Sequence, residues 1–522
     1  MFKDETAVVE KKAKKRYGAL ALQHPPSTGS RKRGSDVGVA RSGVEVCSYG
    51  DSVGVRVPGS AAASRYPTPE SMAKEMLPSI DDQALGFFIS NYVNPPALVP
   101  RGQYEWLLEA LREPNCDEVL RKSVSAACLA GLANSTKNTG IMLKAQDAYG
   151  SALRMTNCAL GVEKTAVRDS TLMAVIMLGM YERFVYLDER SIEACAKHVR
   201  GASSLLNLRG KEQFRSDVSR RIFHQYYGII LMFSLECGMA VPDGLRELYD
   251  HCNPASNYAV QGRQSIRLAQ LLHESIDLNQ EKDIDSDPLD LINRAIDLDQ
   301  ELDSVTTSMP KIWQFETICL EGPHEHVYGS LYHKYMDPWI AQMWNNVRLC
   351  RIHLYRVIRK QIQKAHTSSP PLLSPEEART QRSAADRVIR SCTAEVCASV
   401  PQFTGMVAFP KWPIPKKGKL SGGSQRKTAA PARRRVHPPG TFLDSARPTG
   451  MQHLICPLYA AGSSESSSAT MRQYAIDMLY YIALRVGTRQ AVVLADNLKA
   501  MQVPESAHVQ RADSALDTTF AV

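Results

Sequence analysis

The chain has 522 residues, 44% of them apolar, and a formal charge of +9. That length allows a sizeable core if much of it is continuous helix. No apolar run reaches the ~18–20 residues of a bilayer span, and residues 1–18 carry acids without an apolar centre, unlike a secretory signal, so a soluble intracellular protein is expected.

The charge is unevenly placed. Residues 1–45 hold ten basic and five acidic groups, residues 411–440 hold nine Lys or Arg and no acid, and the rest of the chain is net acidic. A basic groove on the folded part is therefore not expected. Residues 1–80 are rich in Ser, Gly, Pro and Ala and read as a disordered tail. Within them Lys11, Lys12, Lys14, Lys15 and Arg16, then Arg31, Lys32 and Arg33, form clusters suited to nuclear import or phosphate contact.

Order should begin near Asp81, in a main part running 81–404. Leu85, Phe88, Ile89 and Tyr92 share one helical face, ended by Pro95 and Pro96. Tyr104–Leu111 reads as a second helix. Ser123–Leu132 and Thr139–Cys158 form a pair packed through alanines. Arg168–Gly210 predicts a helical hairpin, with Asp169, Ser170 and Thr171 as caps and an apolar run from Leu172 to Tyr181. Its second helix starts at Ser191, places Ile192, Cys195, Val199, Ala202 and Leu206 on one face, and ends at Gly210 in a left-handed residue.

Ser219–Leu235, Ile266–Leu278 and Pro288–Leu302 read as further helices. Asp337 and Pro338 open a long one in which Met343, Val347, Cys350, Leu354 and Ile358 keep three-and-four spacing. Ala384–Ser399 is a helix stopped before Pro401, and 405–449 a disordered basic linker containing Arg433, Arg434 and Arg435. The C-terminal helices of the same domain occupy 450–505, turning at Gly487, and 506–522 is a frayed tail. No strand alternation is sustained. The fold expected is all-α, a large multi-helix bundle with a solenoid-like character.

No nucleophile elbow, phosphate-cradling glycine loop or dinucleotide fingerprint occurs, so an enzyme is not expected. The twelve cysteines lack C-x-x-C spacing and read as reduced, buried thiols. His324-Glu325-His326 with His333 lacks the i, i+4 pair that places two imidazoles on one helix face, and reads as surface or loop histidines. Asn134-Ser135-Thr136 fits a glycosylation pattern without a secretory route to use it.

A series of short motifs recurs in order. It includes Asn157-Cys158-Ala159-Leu160, Asp169-Ser170-Thr171-Leu172, Tyr181-Glu182, His198-Val199-Arg200-Gly201-Ala202 and Leu208-Arg209-Gly210. Trp344-Asn345-Asn346 with Arg348, Glu395 to Pro401, Cys456-Pro457-Leu458-Tyr459, and Gly487 with Gln490-Ala491 follow. Over about 85–497 this resembles the fungal-specific transcription factor domain, the helical regulatory region of fungal binuclear zinc-cluster regulators.

The resemblance implies a nuclear regulator of polymerase II transcription. Its body would meet the transcription machinery or a co-regulator, or receive a small-molecule effector, and its motif residues would pack and cap. Such regulators usually carry six closely spaced cysteines that hold two zinc ions against DNA. Here the only cysteine before residue 116 is Cys47. The expectation is a regulator without that reader: no cofactor in this chain, zinc only with an upstream six-cysteine cluster, weak non-specific DNA contact through the basic segments, and no membrane partner. The alternative is a non-transcriptional helical scaffold or interaction module that kept the fold.

Overall fold

The computed structural model describes residues 78–94, 103–188, 190–252, 260–280, 287–324, 326–410, 435–437 and 450–502. The import clusters Lys11, Lys12, Lys14, Lys15, Arg16, Arg31, Lys32 and Arg33 lie outside the described residues, as do Arg433 and Arg434.

Helix α1 (Ile80–Tyr92) starts at Ser79, whose Oγ accepts from the Asp82 amide at 3.1 Å. A bridge between Asn94 and Gln103 leads to α2 (Glu105–Arg112). Next come α3 (Glu118–Thr136) and α4 (Thr139–Leu160), longer than the sequence suggests. Ala126, Ala127, Ala130 and Ala145 are fully buried, and their small side chains let the two helices pack closely. The one-turn α5 (Glu163–Ala166) precedes the hairpin of α6 (Asp169–Phe184) and α7 (Arg190–Arg209). Leu172 to Leu178 are all buried, because α6 is covered by α3, α4 and α7.

The chain continues through a 3-10 turn into α8 (Asp217–Cys237), capped by Ser216, and then α9 (Leu245–Cys252), α10 (Val260–Gln280) and α11 (Pro288–Thr307). Asp337 caps the 30-residue α12 (Pro338–Thr367) through the Trp339 amide at 2.7 Å. A Ser374–Glu377 capping box opens α13 (Pro375–Phe403), which lies along α12. The last helices are α14 (Ile455–Ser463), α15 (Ala469–Val486) and α16 (Arg489–Ala500).

The all-α expectation holds, with a small sheet added. Strands β1 (Glu316–Leu320) and β2 (Leu331–Lys334) pair antiparallel with Ile318 opposite Tyr332. Strand β3 (Arg435–His437) joins β1 in parallel with Val436 opposite Cys319. These segments are too short to show alternation. Arg435 thus belongs to a strand and not to a disordered linker.

Pro401 also departs from expectation. Helix α13 runs through it to Phe403. The missing amide removes one ladder bond near the helix end, while Val396, Val400 and Phe403 are fully buried and hold the last turn in place.

The C-terminal helices close against the first ones. Tyr92 Oη donates to the Val486 carbonyl at 2.7 Å. Asn134 Nδ2 donates to the carbonyls of Phe184 at 2.7 Å and Gly487 at 2.9 Å, so this asparagine is a structural tie. Gly487 has φ +71, and a Cβ there would lie 2.1 Å from the Gly131 carbonyl oxygen. Only glycine fits. Among the described residues no helix is long and apolar enough to cross a membrane.

Candidate effector chamber

The motif residues of the α6–α7 hairpin form a clamp, and not the expected caps. The N-cap position is Arg168, without a side-chain bond to the helix amides. Asp169 Oδ1 instead accepts from the Arg209 guanidinium and from Ser219 Oγ, the latter at 2.7 Å, so one carboxylate holds the start of α6, the end of α7 and the start of α8. Arg209 is only 5% exposed in its side chain, while Asp169 is 31% exposed, so the pair is half-buried. Ser170 donates to Asp117, and Thr171 Oγ1 donates to the Thr165 carbonyl at 2.7 Å.

Tyr181 stacks on Tyr149 with centroids 4.1 Å apart, and Tyr149 Oη donates to Glu182 Oε1 at 2.6 Å. His198 packs where Gly179 leaves room, and burial lowers its pKa. Gly210 takes φ +55 at the hairpin end, as expected. Gly201 has nothing within 4 Å of a notional Cβ.

A second motif group surrounds Arg348, 2% exposed. Its Nε donates to Glu395 at 2.9 Å and its Nη1 to Tyr335 Oη at 2.7 Å and Asn345 Oδ1 at 2.9 Å. The rings of Phe315, Tyr335 and Trp344 flank the guanidinium. Asn345 Nδ2 donates to Ser399 Oγ at 2.9 Å, joining α12 to α13. His333 stands 3.2 Å from Arg348 Nη2, in β2 and buried, so it is not a surface or loop histidine. Burial, then the Arg348 charge, drives its pKa down to about 2. These groups satisfy one another. They fix the fold.

The described cysteines are free thiols. Cys128, Cys195, Cys252, Cys350, Cys392 and Cys397 are buried, but Cys158 is exposed. Among the described residues no group of three His, Cys, Asp or Glu is placed to hold a metal ion.

A cavity of about 360 Å³ lies along α8, walled also by α2, α6, α10, α12 and α14. Its middle is apolar, with Met180, Ile229, Met232, Phe233, Leu268 and Met343. One end gathers Arg183, Glu236, His453 and Cys456. Arg183 Nε donates to Gln490 Oε1 at 3.2 Å. Burial opposes the Arg183 charge, yet the surrounding Cys456, Tyr104, Cys195 and Glu236 groups raise its pKa. Burial pushes the Glu236 carboxyl up to about 7, against the Cys456 hydrogen bond and the Arg183 charge. Burial, helped by Arg183, lowers His453 to about 3, so this imidazole is neutral and donates from Nε2 to Gln103 Oε1 at 2.5 Å.

The lining also holds polar groups that are incompletely paired. Gln225 Oε1 accepts from the Tyr104 amide at 2.9 Å and Trp106 Nε1 at 2.7 Å, while its buried Nε2 has no hydrogen-bond partner. Glu105 Oε2, on a side chain 10% exposed, and Gln452 Oε1, on a residue 7% exposed, have none either. Burial also raises the Glu105 pKa. Tyr104 holds φ +54 at the start of α2, a strained conformation for a non-glycine, fixed by its burial between Phe88 and Trp106.

No family model, curated protein or solved structure matches the chain.

Of the residues quoted for the resemblance, Asn346, Cys456, Pro457 and Gln490 all line this cavity, although they come from three helices. Pro457 sits in the first turn of α14 and Gln490 in the first turn of α16. Sequence reading missed Arg183, Glu236, His453 and the unpaired Gln225, Glu105 and Gln452. The signal present was a charge at the end of an apolar helix: Arg183 closes the buried run of α6, and Glu236 closes that of α8.

Proposed function

We propose that this chain is a nuclear transcriptional regulator of the fungal zinc-cluster type, represented by its helical regulatory body, and that the cavity along α8 receives a small-molecule effector. The supporting observation is convergence. Asn346, Cys456, Pro457 and Gln490, quoted for the resemblance from separate stretches, meet on one chamber with a charged inner end. Ligand sites combine an apolar wall with a few placed polar groups, in volumes of roughly 300–1,000 Å³. The Arg348 and Asp169 clusters act as scaffolding around it. Partners on this reading are the transcription machinery or a co-regulator. DNA contact by the chain itself is weak, non-specific and salt-sensitive, since it rests on basic segments.

Two measurements test this. A tagged chain expressed in a fungal host should accumulate in the nucleus, and the chain fused to an unrelated DNA reader should shift transcription of a reporter. Cytosolic retention together with a silent reporter would overturn the regulatory reading and favour a helical scaffold.

A further inference from the structure

Arg183 is a basic residue of the chamber wall. It lies at the inner end of the chamber, its Nε is committed to Gln490, and among the described residues its two Nη groups have no hydrogen-bond partner and no carboxylate in ion-pair contact. An enclosed guanidinium without an anion is costly, and its planar fork matches a carboxylate in two parallel hydrogen bonds. The nearby carboxyl, Glu236, is not in ion-pair contact with Arg183 and is instead hydrogen-bonded to Cys456, and burial raises its pKa to about 7.

The shape of the wall adds the second half. Residues of α8 line the chamber from Asp217 to Glu236, a run of about 28 Å at 1.5 Å per residue. Between those ends Ile229, Met232 and Phe233 face Leu268 and Met343 across the apolar middle. A ligand with a charged head at Arg183 would lay an apolar body along this run.

We propose that the chamber binds a small carboxylic acid with an elongated apolar body, its carboxylate seated on the Arg183 guanidinium. The class follows from charge. The other lining guanidiniums, Arg220 and Arg221, are ion-paired with Asp217 and Glu109. Arg183 alone is left to balance one negative charge, whereas a phosphate dianion would need more than Arg183 and would face Glu236. An ammonium head would meet Arg183. A neutral alcohol would leave the guanidinium uncompensated. This inference rests on the reading of the cavity as an effector chamber, and its test separates the two.

Calorimetric titration of the full chain uses octanoate, octanol, octylamine and octyl phosphate as probes. The proteins are wild type, Arg183→Gln, and Met232→Trp to fill the middle of the chamber. Octanoate should bind wild type best, lose about tenfold or more in Arg183→Gln, and lose binding in Met232→Trp. Octanol should bind weakly and change less than about threefold in Arg183→Gln. Octanoate affinity untouched by Arg183→Gln, or tighter binding of octylamine or octyl phosphate, overturns the carboxylate class and leaves the chamber standing. Silence of all four probes, or binding that survives Met232→Trp, overturns the chamber and the class together. If Arg183→Gln fails to fold by circular dichroism, Gln490→Ala frees the guanidinium and reads the same dependence: octanoate should weaken while octanol holds, and equal behaviour overturns the class.

Discussion

Arg183 on α6 and Gln490 on α16 stand 307 residues apart in the chain and are joined by one hydrogen bond of 3.2 Å. That bond fixes the guanidinium at Nε, beside Glu236, whose carboxyl burial pushes from its ordinary 4.5 up to about 7. The folded state therefore holds this proton to higher pH than the unfolded chain does. Its contribution to stability is fully present below 4.5 and is lost as pH rises to 7. Glu236→Gln, which mimics the protonated form, should match wild type at pH 5 and exceed it at pH 8 by on the order of 3 kcal/mol. Urea midpoints at the two pH values measure it, and an equal offset at both would refute the assignment.

Three imidazoles, that of His333 buried and those of His353 and His453 half-buried, act in the opposite sense. His333 is lowered to about 2, and His353 and His453 to about 3. The unfolded chain protonates these near the ordinary 6.5, so the stability they contribute is present above that value and drains away as pH falls toward 3. Denaturation should steepen below about pH 6. His453→Gln, able to keep a bond to Gln103, should flatten that slope in a pH series of thermal scans.

Two glycines from the motif series should respond with opposite signs. Gly487→Ala places a Cβ 2.1 Å from the Gly131 oxygen at φ +71 and should cost more than about 2 kcal/mol. Gly201→Ala adds a Cβ to open space within α7 and should gain up to about 1 kcal/mol. Paired urea titrations decide, and a destabilised Gly201→Ala would point to a role for that site beyond helix packing.

Arg348 joins Glu395, Tyr335 and Asn345 from a position almost without solvent. Arg348→Ala should cost about 3–5 kcal/mol, because it strands those partners in the core. Arg348→Lys should recover little, since a single ammonium cannot replace the fork. Recovery of full stability by lysine would show that charge alone is used there.

Much of the helical body was legible in the sequence, because α7 and α12 carry apolar residues at three-and-four spacing, α6 carries a continuous apolar run, and Asp337 and Gly210 mark recognisable ends. Strands β1 and β2 were not, since five and four residues leave no periodicity to read. Pro401 misled for a local reason: burial of Val396, Val400 and Phe403 outweighs one lost ladder bond. The chamber was half legible. Pro457 and Gln490 stood out as motif residues, but Arg183 and Glu236 looked like ordinary charges at helix ends until tertiary packing enclosed them. Asp169 shows the same limit, because the partner that changes its role, Arg209, is 40 residues away.

The closure of Tyr92 on Val486, Asn134 on Gly487 and Arg183 on Gln490 also sets an order of events during synthesis. Residues 80–403 can leave the ribosome and pair helix by helix, but the inner end of the chamber needs His453, Cys456 and Gln490. At about 5–20 residues per second, a nascent chain spends several seconds with Arg183 and the apolar face of α8 uncovered. The chamber is thus the last part of the body to exist, and any chain that stops before α16 carries its inner cation without the arginine-to-glutamine latch that holds it.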